Sequence, residues 1–249
     1  MLGVPLAVSS YEEVIDWMEA LIEADGRAYV TAAAVNLVMS AREDPEARAA
    51  LLGATLAVPD GQPLVWALHA LGHPAATRVY GPDLMAHFCA RAAQHGTPMY
   101  LYGGRTPEAL ALLTERLRQR YPGLAIVGGH SPPFRALSAA EEERAIADID
   151  DSGAKVVWVG TGQPKQEKWM LAMRPRLAAP LLIGVGAAFD FHAGLVSQAP
   201  AWMGRNGLEW LYRLSREPRR LWPRYVRYNP RFIVGFLGQY LAYRRNKGS

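Results

Sequence analysis

Between residues 99 and 185 the chain repeats one unit three times: an apolar run of four or five residues, a turn carrying glycine, and a stretch of helical length. The runs are 99–102, 124–127 and 155–159, and a fourth at 181–185 follows the third helix. The turns hold Gly103-Gly104, Gly128-Gly129, and Gly160 with Gly162; the helical stretches cover 107–120, 138–150 and 164–173. Strands separated by whole helices cannot pair as hairpins, so they lie parallel and the helices cover the sheet. The expected fold is α/β: a Rossmann-like, mainly parallel sheet with helices on both faces.

The N-terminal part fits the same scheme. Ser10 and Glu13 form a capping box ahead of Val14, Trp17, Met18, Leu21 and Ile22 at helical spacing. Residues 27–31 read as a strand, followed by a helix carrying Leu37, Val38 and Ala41. Asp44-Pro45-Glu46 supplies a cap, a first-turn proline and an early acid for a helix through Leu52. A strand at 54–58, a helix at 64–71 and a helix ending about Gln94 complete this half.

The net charge of +4 conceals two different objects. From Arg205 to Ser249 there are eleven Lys/Arg against two acids, whereas the first 204 residues hold 16 basic and 21 acidic groups. We therefore divide the chain into an α/β catalytic domain, 1–204, and a basic, aromatic-rich helical C-terminal appendage, 205–249. In the appendage Arg213, Arg216, Arg220, Arg224, Arg227 and Arg231 follow one another at helical spacing. Pro218, Pro223 and Pro230 predict that this stripe breaks into turns or short helices. Trp210, Tyr212, Trp222, Tyr225 and Tyr228 interleave with it, and an apolar run covers 231–243. That run is too short to span a bilayer but suits its interface. A solvated basic face explains the charges but not the apolar run; an anionic membrane, or a diphosphate-bearing lipid at its surface, explains both. Arginine with aromatic residues also suits nucleic acid, which is the alternative reading of the tail. So apolar an appendage is compatible with a homo-oligomer or with a detergent-dependent monomer.

The single cysteine, Cys89, lies in an apolar run and reads as a small core residue. Neither a signal-peptide pattern nor an apolar run of spanning length is found, so the chain is expected to stay on the cytoplasmic side.

Three stretches carry the chemistry. Val58-Pro59-Asp60-Gly61-Gln62-Pro63 puts a carboxylate on a turn between a strand and a helix, where sites form in open α/β sheets. Asp60 is either a helix cap or a catalytic base. The turns 102–106 and 160–167 offer glycine amides and helix N-termini to phosphate, with Gln166 in the first turn of the second helix. Lys165 stands where a dinucleotide fingerprint needs its third glycine, and there is no P-loop, so a nicotinamide enzyme or an ATPase fits poorly. Asp148 and Asp150 lie on a charged helix and read as a solvated face, the histidines lack ligand spacing, and His192 reads as packed or capping; no metal site and no cofactor is expected.

With these pieces in place the sequence resembles the WecG/TagA/CpsF family of bacterial glycosyltransferases. The resemblance runs through YVTAAAVNLVMSAREDP, VPDGQPLVWAL, RVYGPDLM, LYGGR, GTGQPKQEKWM, GVGAAFDFHAG and QAPAWMGRNGLEWLYRLSREPRR. It implies inverting transfer of a sugar from a UDP-sugar to a polyprenyl-diphosphate-linked saccharide, without a metal, at the cytoplasmic membrane face. Asp60 matches the family's proposed base. Thr31, Arg78 and Gln166 match its other site residues, and Arg213, Arg220 and Arg224 match arginines of the appendage thought to close over the site. Where many members carry asparagine, this chain has Ala33, and Asn36 is the neighbouring amide. Gln62, Asp83, Gly103, Gly104, Arg105, Gly160 and Gly162, in the same motifs, complete the expected substrate-binding set.

Overall fold

Six apolar runs form six strands: β1 (Ala28–Ala33), β2 (Leu56–Pro59), β3 (Met99–Gly103), β4 (Ile126–His130), β5 (Val156–Gly160) and β6 (Leu181–Gly184). The computed structural model describes residues 1–247, with only the backbone for Ala201 and Arg220. The strands make one all-parallel sheet in the order β2-β1-β6-β5-β3-β4. The helices are α1 (Tyr11–Glu23), α2 (Val35–Glu43), α3 (Pro45–Leu52), α4 (Gln62–Ala70), α5 (Gly81–His95), α6 (Pro107–Arg120), α7 (Ala139–Asp151), α8 (Lys165–Met173), α9 (Ala188–His192), α10 (Ala201–Arg205), α11 (Glu209–Arg216) and α12 (Pro218–Lys247).

Local chemistry fixes many of these boundaries. Ser10 with Glu13 and Ser138 with Glu141 form complete capping boxes, and Asp44 accepts from the Glu46 and Ala47 amides at the start of α3. The inner strands are buried on both faces, as parallel sheets require. Val156 and Trp158 point into one core layer with Met18, Phe88 and Phe189; Val157 and Val159 point into the other with Tyr29, Tyr102 and Met170. A third cluster, beyond the β2 edge, joins Leu37, Leu51 and Leu64 to Phe232 of α12.

Two expectations are corrected. The strand expected to end before Gly128-Gly129 instead runs through both glycines to His130. A side chain at Gly128 would stand 2.6 Å from the Tyr100 ring, so this glycine serves close strand packing and marks no turn. Of the three prolines expected to break the appendage, Pro218 opens a new helix after α11, but Pro223 and Pro230 do not break it: α12 is a continuous 30-residue helix with both inside it. Both prolines lie exposed and seven residues apart, so the amides they lack fall along one face, where water reaches the unpaired carbonyls.

Packing explains the continuity of α12. Phe232 is buried, and Tyr228 and Phe236 pack beside it on the cluster containing Leu37 and Val38 of α2. Arg227 and Arg231 both pair with Glu43, and the Ser40 hydroxyl donates to the Tyr228 oxygen at 3.3 Å. The opposite face leaves Ile233, Val234, Leu237 and Leu241 exposed.

At the carboxyl ends of the central strands the backbones crowd. Gly103 has φ +138°, and a Cβ there would lie 2.6 Å from the Gly160 carbonyl carbon. Gly160 in turn leaves room for the Phe189 ring, 2.6 Å from where its own Cβ would stand. Gly103→Ala is therefore expected to destabilise the fold by about 2 to 3 kcal/mol, from a forbidden φ and overpacking together. Urea unfolding checks this; a loss under about 0.5 kcal/mol would show that the strand ends can separate freely.

Candidate functional site

β2 ends at Pro59, and the next residue still joins the ladder: the Asp60 amide donates to the Ala33 carbonyl at 2.9 Å. Its side chain does not cap α4, whose N-cap is Gly61 with no side-chain hydrogen bond. Instead Asp60 Oδ1 accepts from the Gly81 amide at 2.7 Å, the first residue of α5. The capping reading thus holds for a different helix, 21 residues along the chain. Asp60 as a residue keeps part of its surface open to solvent. Burial pushes it up to about 6, the nearby Arg78 charge and the Gly81 amide oppose that rise, and Glu209 adds to it.

Arg78 is the hub beside Asp60. Its Nε donates to the Asp60 carbonyl at 2.5 Å, its terminal nitrogen pairs with Glu209 at the start of α11, and its guanidinium lies 4.1 Å from the Tyr80 ring centre. Arg213, one turn beyond Glu209 on α11, stands over the Phe191 ring at 5.7 Å, and its buried Nε has no hydrogen-bond partner. Arg213 also exerts a charge effect on Asp60. The appendage therefore brings one acid and one arginine to the carboxylate.

A second polar group lies under the β1, β5 and β6 ends. Gln166 and Glu167, in the first turn of α8, are fully buried, as is Thr31 of β1. The Thr31 hydroxyl donates to Glu167 Oε1 at 2.6 Å, and Gln166 Nε2 donates to the same oxygen at 2.8 Å. Gly184 admits them: a Cβ there would stand 2.8 Å from Gln166 Nε2. Burial pushes Glu167 up to about 7, against the hydrogen bonds from Thr31 and Gln166. Glu167 is absent from the sequence-derived candidates, because an acid in a helical first turn looks like ordinary dipole chemistry. The sign that marks it is its place on the inward stripe of α8, three residues before buried Met170.

The remaining candidates divide. Asp60, Arg78 and Arg213 converge, and Thr31 and Gln166 form the buried group, with Thr31's hydroxyl spent on Glu167. Gly104 and Gly162 take positive φ, +93° and +85°, as turn residues, whereas Gly103 and Gly160 answer to internal crowding. Arg105 pairs with Asp190 through Nε and its terminal nitrogen and reaches Glu217, so it ties the β3 turn to α9 and to the appendage. Asp83 lies on the first turn of α5 and accepts from the Tyr11 hydroxyl at 3.3 Å. Gln62 opens α4 and Asn36 lies in the first turn of α2, both half-buried. Arg224 stands exposed on α12, and the Arg220 side chain lies outside the described residues. His192 contacts the Pro82 carbonyl at 2.9 Å, a packing role. Among the described residues, no three His, Cys, Asp or Glu side chains gather as metal ligands.

The two raised acids make stability fall with pH. Each binds its proton more tightly in the folded chain than at the ordinary carboxyl value near 4, so folding takes up protons between about 4 and 7. Stability from these groups is highest below about 4, declines as pH rises, and is level above about 7. Glu167→Gln, which removes one of them, is expected to gain stability over the unaltered chain on going from pH 5 to pH 8, by on the order of 1 to 3 kcal/mol. Urea titrations of both chains across that range test this; a difference independent of pH would contradict it.

The sequence model described as the Glycosyl transferase WecG/TagA/CpsF family matches residues 1–246, nearly the whole chain. Its match spans the Asp60 turn, the Gln166-Glu167 turn and the arginines of α11 and α12 together. The chain belongs to the WecG/TagA/CpsF family of glycosyltransferases, which act in cell-envelope polysaccharide synthesis.

Proposed function

We propose that this glycosyltransferase moves a sugar from a UDP-sugar to a polyprenyl-diphosphate-linked saccharide, inverting the anomeric carbon and using no metal. The observation that carries the reading is a partly buried carboxylate at the carboxyl edge of a parallel sheet, with arginines from the sheet domain and the appendage beside it.

In this reading Asp60 accepts the proton of the acceptor hydroxyl as that oxygen bonds to the anomeric carbon from the face opposite UDP. The bond from that carbon to the UDP oxygen breaks, and UDP leaves with the electron pair. A base with its proton affinity raised to about 6 is ionised at neutral pH yet still basic enough to draw a proton. Charge on the departing diphosphate needs fixed positive groups, and Arg78 and Arg213 are available to it once Glu209 yields. Gln166 and the turns at Gly104 and Gly162 are the candidates for donor contacts.

The acceptor's lipid accounts for the rest of the appendage. The outer face of α12 presents Ile233, Val234, Leu237 and Leu241, with Trp222 and Val226 nearer its start, among exposed arginines. No described helix is long and apolar enough to cross a membrane. An amphipathic, basic helix of this kind favours peripheral binding to an anionic surface, on the cytoplasmic face in this reading.

Asp60→Asn is expected to lower kcat by about 10² to 10⁴ while the Kd for UDP stays within about threefold. In the unaltered chain kcat/KM should rise with pH through about 6 and then level, as a base with that affinity requires. Sugar transfer from a panel of UDP-sugars to a short-chain polyprenyl-diphosphate saccharide measures both. Near-full turnover by Asp60→Asn with bound donor would remove Asp60 from the chemistry.

A further inference from the structure

The buried group under the central strands holds two oxygens with no donor: Gln166 Oε1 and Glu167 Oε2. Their residues have no exposed surface, and burying such an acceptor unpaired costs about 1 to 3 kcal/mol. The arrangement around them has a definite sense. Glu167 takes the Thr31 hydroxyl and the Gln166 NH₂ on Oε1, and any proton the carboxyl carries sits on Oε2, so Oε1 accepts in either charge state. The amide is then fixed with its NH₂ toward Glu167 and its carbonyl turned away. That carbonyl faces the Gly162 and Gly186 turns: an atom at the position of a Gly186 Cβ would lie 3.5 Å from Gln166 Oε1 and 4.0 Å from the Gly162 Cα. The Cβ position of Gly162 itself meets nothing within 4 Å. The unpaired acceptor thus lies against the backbone of two positive-φ glycines at the carboxyl edge of the sheet, neither of which contributes a side chain to cover it.

We infer that Glu167 is a positioning residue for donor recognition: it locks the Gln166 amide so that its carbonyl, and not its NH₂, meets the nucleotide sugar. Gln166 then selects a ligand group that donates, an imide N–H of the base or a hydroxyl of ribose or of the transferred sugar. Phosphate oxygens, which only accept, are not its partners. The inference rests on the UDP-sugar reading above, and it gives Thr31 a supporting part, as the second donor that holds the Glu167 carboxylate in place.

Glu167→Gln keeps the volume and removes the constraint, because a glutamine at 167 can offer its own NH₂ to Gln166 Oε1 and reverse the amide. Calorimetric titration with UDP, UDP-glucose and UDP-N-acetylglucosamine is expected to show Kd raised about tenfold in Glu167→Gln, with kcat for whichever donor is used changed less than threefold. In a Gln166→Ala background the same substitution should change Kd less than twofold, since Glu167 acts through Gln166. A loss shared by UDP and the UDP-sugars puts the partner in the nucleoside; a loss confined to the UDP-sugars puts it in the sugar; both support the inference. An unchanged Kd in folded Glu167→Gln, or an equal loss with and without Gln166, overturns it. Side-chain amide NMR of the unaltered chain gives a test that needs no variant. The Gln166 NH₂ protons should stay protected and nearly unshifted when UDP or a UDP-sugar binds; a large shift of those protons, showing that the NH₂ meets the ligand, also overturns it. If the unaltered chain binds none of the three ligands, the donor reading itself fails, which is a separate result.

Discussion

The hydrogen bond from the Gly81 amide to Asp60 holds together two parts of the chain that the topology drives apart. After β2, at one edge of the sheet, the chain must cross to β3 on the far side of the centre. α4 and the 71–80 segment make the first part of that crossing, and α5 begins the second. Asp60 fastens the start of α5 back to the end of β2, and the Val79 amide, two residues before Gly81, makes a second link by donating to the Pro59 carbonyl at 2.9 Å. Arg78 is drawn to the same place because it immediately precedes Val79, and its Nε donates to the Asp60 carbonyl. The constraint that closes the crossover therefore also sets the carboxylate and its arginine side by side, at the carboxyl ends of the strands where open α/β sheets form their sites.

Charge balance around Asp60 is shared between two parts of the molecule. Burial raises its proton affinity; Arg78 and the Gly81 amide lower it; Glu209 and Arg213, one helical turn apart on α11, act with opposite signs. An ion pair of this kind, with both side chains mostly covered, contributes little net stability but fixes geometry. The same contact ties α11 to the stretch beside Asp60. Arg105, with Asp190 and Glu217, forms a second tie between the sheet domain and the appendage. A few ion pairs thus join the sheet to the C-terminal helices across one boundary.

Much of this was legible in the sequence wherever the signal was local. The capping boxes at Ser10 and Ser138, the Asp44-Pro45 start and the strand and helix alternation from 99 to 185 depend on neighbours a few residues apart, and the fold reproduces them. Failures came where distant partners decide. Gly128 looked like a turn and proved to make room for the Tyr100 ring, a contact across the sheet. Pro223 and Pro230 looked like breaks, but packing of Phe232 and Tyr228 against α2 outweighs two missing helix bonds. At the site, Asp60 stood out through its turn, yet the helix it caps could not be read from its own neighbourhood. Glu167 was hidden because burial, and not residue type, is what makes it unusual, and the Asp190 and Glu217 partners of Arg105 lie 85 and 112 residues away.

In the proposed function, arginines take the place of a metal at a uridine diphosphate site. Calorimetric titration of UDP, in Mg²⁺ and again in EDTA, tests this most directly, on the unaltered chain and on Arg78→Ala. The prediction is a Kd that agrees within about twofold in the two buffers and rises about tenfold in Arg78→Ala, the loss of one charge-assisted contact. Binding that vanishes in EDTA, or a folded chain that takes up no UDP in either buffer, would contradict it.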